Sequence, residues 1–158
     1  MGREIERKFL LAGDGWREQA HRSCYMRQGY LCGNDRASIR VRVESGAANL
    51  NIKSATLGVE RDEYQYPVPE AEAHTMLDTL AGAQVEKTRH WVDHHGWVFE
   101  VDEFHGANAG LIVAELELDD ADAEFPRPDW LGDEVSHDPR YYNTELARHP
   151  YSEWERGE

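Results

Sequence analysis

The chain has 158 residues, and its 31 acidic against 17 basic side chains leave a formal net charge of −14 with His neutral. Apolar residues make up 40%, with five Trp, seven Tyr and four Phe; this excludes a disordered acidic tail and predicts one domain over residues 1–158 with a sizeable core. No apolar run approaches the roughly 20 residues of a membrane span, and so acidic a chain has no general affinity for nucleic acid, which needs a basic surface to neutralise phosphates.

The N-terminus is charged from residue 3 and lacks the apolar stretch of a secretory signal. Glu6 at the sixth position excludes an N-myristoylation motif. Cys24 and Cys32 are too few for a disulfide framework or a thiolate zinc site. The expectation is a soluble, cytoplasmic protein without nucleic-acid or membrane partners.

Taken in chain order, period-2 alternation predicts strands at Arg3–Leu10, Ser23–Leu31, Ala37–Glu44, Ala48–Ser54, Glu60–Val68, Gln84–His94, Trp97–Phe104 and Leu111–Leu118. Ser45-Gly46, His95-Gly96 and Gly106-Ala107-Asn108 are turn signals between them. Pro69–Leu80 breaks the alternation and reads as an amphipathic helix with Pro69 at its first position. A turn of helix is expected at Asp14–Ala20, a second helix at Asp119–Glu124 and a short third at Asn143–His149, with a frayed tail at Ser152–Glu158. Eight strands with few helices predict a predominantly β protein (α+β): an eight-stranded antiparallel closed β-barrel flanked by helices.

Alternate residues of a strand face opposite sides. One side collects Glu4, Glu6 and Lys8, then Arg40 and Arg42, Asn51 and Lys53, Lys87 and Arg89, Glu100 and Asp102, and Glu115 and Glu117. An ordinary solvated face carries mixed polar residues. Here charge-x-charge repeats from strand to strand with the signs segregated, which fits a sheet curled so that these faces meet across a lumen. Such a lumen offers paired Arg donors and Lys point charges to a polyanion. It offers carboxylate oxygens to hard divalent cations.

These residues are similar to a known family. Glu4-Ile5-Glu6-Arg7-Lys8 resembles the N-terminal Glu-x-Glu-x-Lys signature of the CYTH superfamily, the triphosphate tunnel metalloenzymes. Ile39-Arg40-Val41-Arg42, Ile52-Lys53-Ser54, Val85-Glu86-Lys87-Thr88-Arg89, Phe99-Glu100-Val101-Asp102, Glu115-Leu116-Glu117 and Arg140-Tyr141-Tyr142-Asn143 follow in order. The resemblance runs from about residue 3 to residue 148 and is greatest to the compact bacterial branch that hydrolyses inorganic triphosphate. It implies Lys8, Arg40, Arg42, Lys53, Lys87, Arg89 and Arg61 as substrate ligands, and Glu4, Glu6, Glu115, Glu117 and Asp102 as ligands of one or two Mg²⁺ or Mn²⁺ ions. It implies Glu4, Glu6, Lys8 and Lys87 as the catalytic set. Glu63, Glu100 and Tyr30 are further candidates for the tunnel lining, and a homodimer is open. Many compact relatives carry Lys where this chain has Tyr142, which puts closure by the C-terminal segment in question.

The expected activity is therefore metal-dependent hydrolysis of inorganic triphosphate. Rival readings on the same fold are an organic triphosphate hydrolase, with Trp91, Trp97 or Trp130 at the tunnel mouth, and a class IV-like adenylate cyclase. A non-catalytic polyphosphate-binding module would need the cations without the full acidic set. His94-His95 lies at a turn without metal-ligand spacing and is read as solvated, and His90, which faces away from Lys87 and Arg89, is read as structural.

Overall fold

The computed structural model describes residues 4–55 and 59–154; Arg3 and the end of the expected frayed tail, 155–158, lie outside the described residues. The strands are β1 (Glu4–Leu11), β2 (Ala20–Gly33), β3 (Ala37–Glu44), β4 (Ala47–Ser54), β5 (Glu60–Arg61), β6 (Glu63–Val68), β7 (Gln84–His94), β8 (Trp97–Phe104), β9 (Ile112–Glu117) and β10 (Leu131–Glu134). The helices are α1 (Trp16–Gln19), α2 (Glu70–Thr79) and α3 (Asn143–Arg148). All strand pairs are antiparallel, in the order β10-β1-β9-β8-β7-β2-β3-β4-β6, with β5 on β1. Among the described residues no helix is long and apolar enough to cross a membrane.

The predominantly β, antiparallel class is as expected, but the closed eight-stranded ladder is not. The predicted fifth strand breaks at Asp62: Glu63–Val68 pairs with β4, while Glu60 and Arg61 pair with β1. One kinked segment thus bridges the seam, helped by Glu6 N–H to Val59 C=O at 2.9 Å and Ser54 N–H to Asp62 C=O at 2.9 Å. The short strand β10 was not anticipated, since Leu131-Gly132-Asp133-Glu134 neither alternates nor carries β-branched residues. It exists because β1 offers it an edge, with Phe9 opposite Glu134 and Leu11 opposite Leu131. Gly132 permits the approach: a Cβ there would lie 2.9 Å from the Leu10 carbonyl oxygen.

Local chemistry accounts for the turns. Ser45-Gly46 and His95-Gly96 both have positive φ, at 48° and 79° and at 49° and 83°, the two-residue hairpin geometry that matches strand twist. In α2, Pro69 caps rather than opens the helix, and Ala73 and Leu77 bury one face. Glu70 and Glu72 favour its positive N-terminus. The helix expected at Asp119–Glu124 is instead a bend and turn. There the Asp120 carboxylate accepts the Asp122 N–H at 2.9 Å, so the side chain captures backbone that a helix would need. Within the expected frayed segment, Tyr151–Glu153 forms a 3₁₀ turn and Trp154 packs edge-on against Tyr141 and Tyr151.

Three apolar clusters clothe the barrel. Phe9, Trp16, Phe99, Val101, Leu116 and Trp130 form one under α1 and the 123–131 segment. Val41, Val43 and Ala48 meet Ala73 and Leu77 of α2. The third differs in kind. Val85, Phe104 and Val113 are on the lumen face, one step beyond Lys87, Asp102 and Glu115, and pack with Tyr141 and with Leu146 of α3. The interior is therefore charged for most of its length and apolar where α3 stops it.

Gly29 sets how closely α2 lies on β2, since a Cβ there would be 2.9 Å from the Ala81 Cβ and 3.0 Å from Leu77 Cδ2. Gly29→Ala is expected to cost about 1–3 kcal/mol by overpacking, measured as a lower urea midpoint at unchanged slope.

Candidate active site in the lumen

Strand alternation carries every charged candidate to the inner face. Seven of the chain's 17 Lys and Arg (Lys8, Arg40, Arg42, Lys53, Arg61, Lys87, Arg89) gather there with seven carboxylates (Glu4, Glu6, Glu63, Glu100, Asp102, Glu115, Glu117). The net charge of −14 thus resides on the outside, while the lumen is formally balanced.

Its deepest node is Asp102, which like Lys87 has no solvent exposure. Asp102 accepts Lys87 Nζ at 2.8 Å and the Arg89 fork at 2.7 and 2.9 Å. Glu115 accepts Lys8 Nζ at 2.5 Å and Arg89 Nη2 at 3.2 Å. Lys8 also lies 3.5 Å from Glu6, and Lys53 lies 3.0 Å from Glu4 and 3.8 Å from Glu63. Arg89 Nη1 is 3.2 Å from Glu100. Arg40 differs: it is buried, its Nε has no hydrogen-bond partner, and among the described residues no carboxylate pairs with it.

The protonation equilibria show where charge is settled. Burial works to discharge Lys8, but Glu115 and Glu6 outweigh it and hold its ammonium above the ordinary lysine range. Glu115 is buried too, yet Lys8, Arg89 and Lys87 hold its carboxyl well below the usual range. Lys87 goes the other way: burial, with Arg89 and Arg42 nearby, outweighs Asp102 and lowers it to about 7. Burial and then the neighbouring Arg40 and Arg89 likewise depress Arg42. At the opposite pole burial raises Glu117, and Glu4, Glu100, Glu6 and Glu63 add to the rise. The lumen is balanced in total but polarised, with cations crowding cations and carboxylates crowding carboxylates.

Two cavities occupy it. The larger, about 130 Å³, is lined by the cations Arg40, Arg42, Lys53, Lys87 and Arg89 and by Glu4, Glu6, Glu63, Glu100 and Glu115. The smaller, about 30 Å³, lies towards α3 between Lys8, Arg40, Lys53, Arg61, Tyr30 and Tyr142. Such a space suits one water. At this end the Tyr142 ring takes the Arg61 guanidinium at 5.3 Å and its hydroxyl donates to the Ser136 carbonyl at 2.7 Å.

The donors suit a hard divalent cation, being all carboxylate oxygens, and the mutual repulsion around Glu117 is what such an ion relieves. Among the described residues no three acidic, His or Cys side chains already converge on one cation position. Asp102, expected either to bind metal or to pair with a tunnel Arg or Lys, pairs with Lys87 and Arg89 through both oxygens. Of the Trp residues considered for an organic group, Trp130 is in the core, while Trp91 and Trp97 border a rim recess beside Glu100 and Glu117. Asn51 is on the lumen face as its parity with Lys53 predicts, whereas the neutral lumen residues Gln28, Gln65 and Asn143 were missed. The first two have lumen-facing parity, a signal in the strand pattern; Asn143 follows an irregular segment that has no parity to read.

Comparison with known proteins gives a consistent result. The CYTH domain profile matches residues 2–149. A protein named inorganic triphosphatase from Acetivibrio thermocellus is 44% identical over 152 residues, covering 96% of this chain and 97% of that one. Another of that name from Nitrosomonas europaea is 36% identical over 150 residues, covering 91% and 96%. The crystal structure of the inorganic triphosphatase NE1496 superposes with a TM-score of 0.66 at 35% identity, over 91% of this chain and 97% of that one. The PH1012 protein from Pyrococcus horikoshii, at 16% identity and a TM-score of 0.58 over 75% of this chain and 80% of that one, shares the fold.

The depressed Lys87 makes a signed prediction. Between about 7 and the 10.5 of an ordinary Lys the unfolded chain binds the extra proton, so the ligand-free protein gains stability as pH rises, by at most about 1.4 kcal/mol per unit. Lys87→Met should flatten urea midpoints across that window.

Proposed function

Because the chain belongs to the CYTH domain family, we propose that it hydrolyses inorganic triphosphate to pyrophosphate and phosphate within the lumen, with Mg²⁺ or Mn²⁺. The observation that carries this is the polarised lumen: a polyanion settles the crowded cations, and divalent cations settle the crowded carboxylates. When bound, the metal neutralises phosphate oxygens and acidifies the attacking water.

The chain's own groups do the rest. Phosphoryl transfer needs mostly positioning and charge stabilisation. Arg40 is buried without a carboxylate partner among the described residues, so its guanidinium is committed to no protein anion and meets phosphate at low cost. Arg42, Lys53 and Arg89 line the same cavity. Lys8 is kept charged by Glu115 and Glu6. Burial disfavours the Lys87 ammonium in the free protein, and a polyanion beside it favours that charged form. Asp102 and Glu115 act as anchors that hold Lys87, Arg89 and Lys8 in place. Glu4, Glu6, Glu100 and Glu117 are the carboxylates proposed to hold the cations. Water attacks a terminal phosphorus, its bond to the pyrophosphate oxygen breaks, and Glu4 or Glu6 orients the water and receives its proton.

Strong release of phosphate from triphosphate with Mg²⁺ or Mn²⁺, abolished by chelator and far weaker from ATP, thiamine triphosphate or pyrophosphate, is the expected result of a substrate panel. Preferred release from an organic triphosphate would overturn the substrate, and tight triphosphate binding without release would favour the binding-module reading. Glu4→Ala and Lys8→Ala are expected to lose about 10²-fold or more in turnover. Glu117→Gln should raise the thermal midpoint of the metal-free protein, by relieving like-charge crowding, while lowering turnover; a lowered midpoint would count against that crowding.

A further inference from the structure

Two neutral amides lie among the lumen cations. Gln28 on β2 is fully buried, and its Oε1 accepts Arg42 Nε at 2.9 Å. Its Nε2 donates to Asn143 Oδ1 at 3.4 Å, and that oxygen also accepts Lys87 Nζ at 3.2 Å. Asn143 is the first residue of α3 and lines both cavities.

The orientation of both amides follows from their partners. Arg and Lys only donate. Arg42 therefore takes the oxygen of Gln28, which leaves Gln28 its NH₂ for Asn143, and Lys87 requires the Asn143 oxygen as well. Two donors thus converge on Asn143 Oδ1 and commit it. Its Nδ2 group has no protein hydrogen bond among the described residues, in a side chain that borders the space between the cations.

We propose that Asn143 donates a hydrogen bond from its side-chain NH₂ to a phosphate oxygen of the substrate, with Gln28 as the positioning residue that fixes the amide. This rests on the triphosphatase reading. A neutral donor suits the place: another cation would add to the repulsion that Lys87, Arg42 and Arg89 already exert on one another, whereas an amide adds a donor without charge. The contact comes from the C-terminal segment, so the lumen is complete as a phosphate site only when α3 is docked.

Asn143→Asp tests this, because it keeps the shape and the oxygen facing Lys87 but replaces the donor with a repelling acceptor. Asp is favourable in a first helical turn and gains an ion pair with Lys87. The expected result is an unfolding midpoint equal to or above that of the unaltered protein, together with a KM for triphosphate raised about tenfold or more and kcat changed little. Titration calorimetry with triphosphate and chelator should show the same loss of affinity. A purely structural role would move midpoint and affinity in the same direction. Asn143→Ala should raise KM less, and adding it to Gln28→Leu should cost less than adding it to the unaltered protein. KM and affinity within twofold of the unaltered protein in both Asn143 variants would overturn the proposal, and if Asn143→Asp does not fold, Asn143→Ala decides alone. If the unaltered protein neither binds nor hydrolyses triphosphate, the functional reading fails first and the inference falls with it.

Discussion

The structure depends on holding charge inside a barrel. An isolated ion moved from water into protein costs several kcal/mol even after relaxation, and Asp102 and Lys87 have no exposure at all. Asp102 is tolerated because it receives three hydrogen bonds from Lys87 and Arg89. Arg89 in turn reaches Glu115, and Glu115 holds Lys8. This chain of contacts runs along four adjacent strands, β7, β8, β9 and β1, and Lys53 on β4, 3.0 Å from Glu4 on β1, carries it across the seam. Removing any one partner would strand another, and leaving one buried charge unpaired costs more than the pair contributes.

Balance in total does not mean balance everywhere. The surplus of repulsion around Glu117 and around Arg42 is a cost the free protein carries. It is the kind of cost expected where stability gives way to function. The polarisation is also directional, since Arg42 lines the larger cavity while Glu117 borders the rim recess, with Glu100 lining both. A metal-bound polyphosphate is a ligand whose own charges have the matching division.

The ends of the tunnel are unlike. Towards α3 the lumen face turns apolar at Val85, Phe104 and Val113, and Leu146 and Tyr141 fill it. Tyr142 and Arg61 stack beside the smaller cavity. The acidic residues Glu63 and Glu100 are partly exposed, and the rim residue Glu117 is exposed. One end of the lumen thus has an acidic rim, and at the other Asn143, Lys87 and Gln28 join α3 to the barrel.

The sequence by itself determined the class of fold and the inward face of each long strand. Alternation is a local property: once Val41 and Val43 must pack against α2, Arg40 and Arg42 have only the other side. What it could not settle was anything depending on partners remote in the chain. β10 has no pattern of its own and exists only because β1 presents an edge. The fifth strand breaks at Asp62 because its two halves serve different neighbours. The role of Asp102 turned on whether its oxygens were free, and Lys87 and Arg89 fill them. Asn143 reaches the lumen through an irregular segment whose course is set by the packing of Tyr141 and Leu146. Periodicity reports which side a residue faces; only the tertiary structure decides which charges meet there, because that depends on distances between strands distant in the chain.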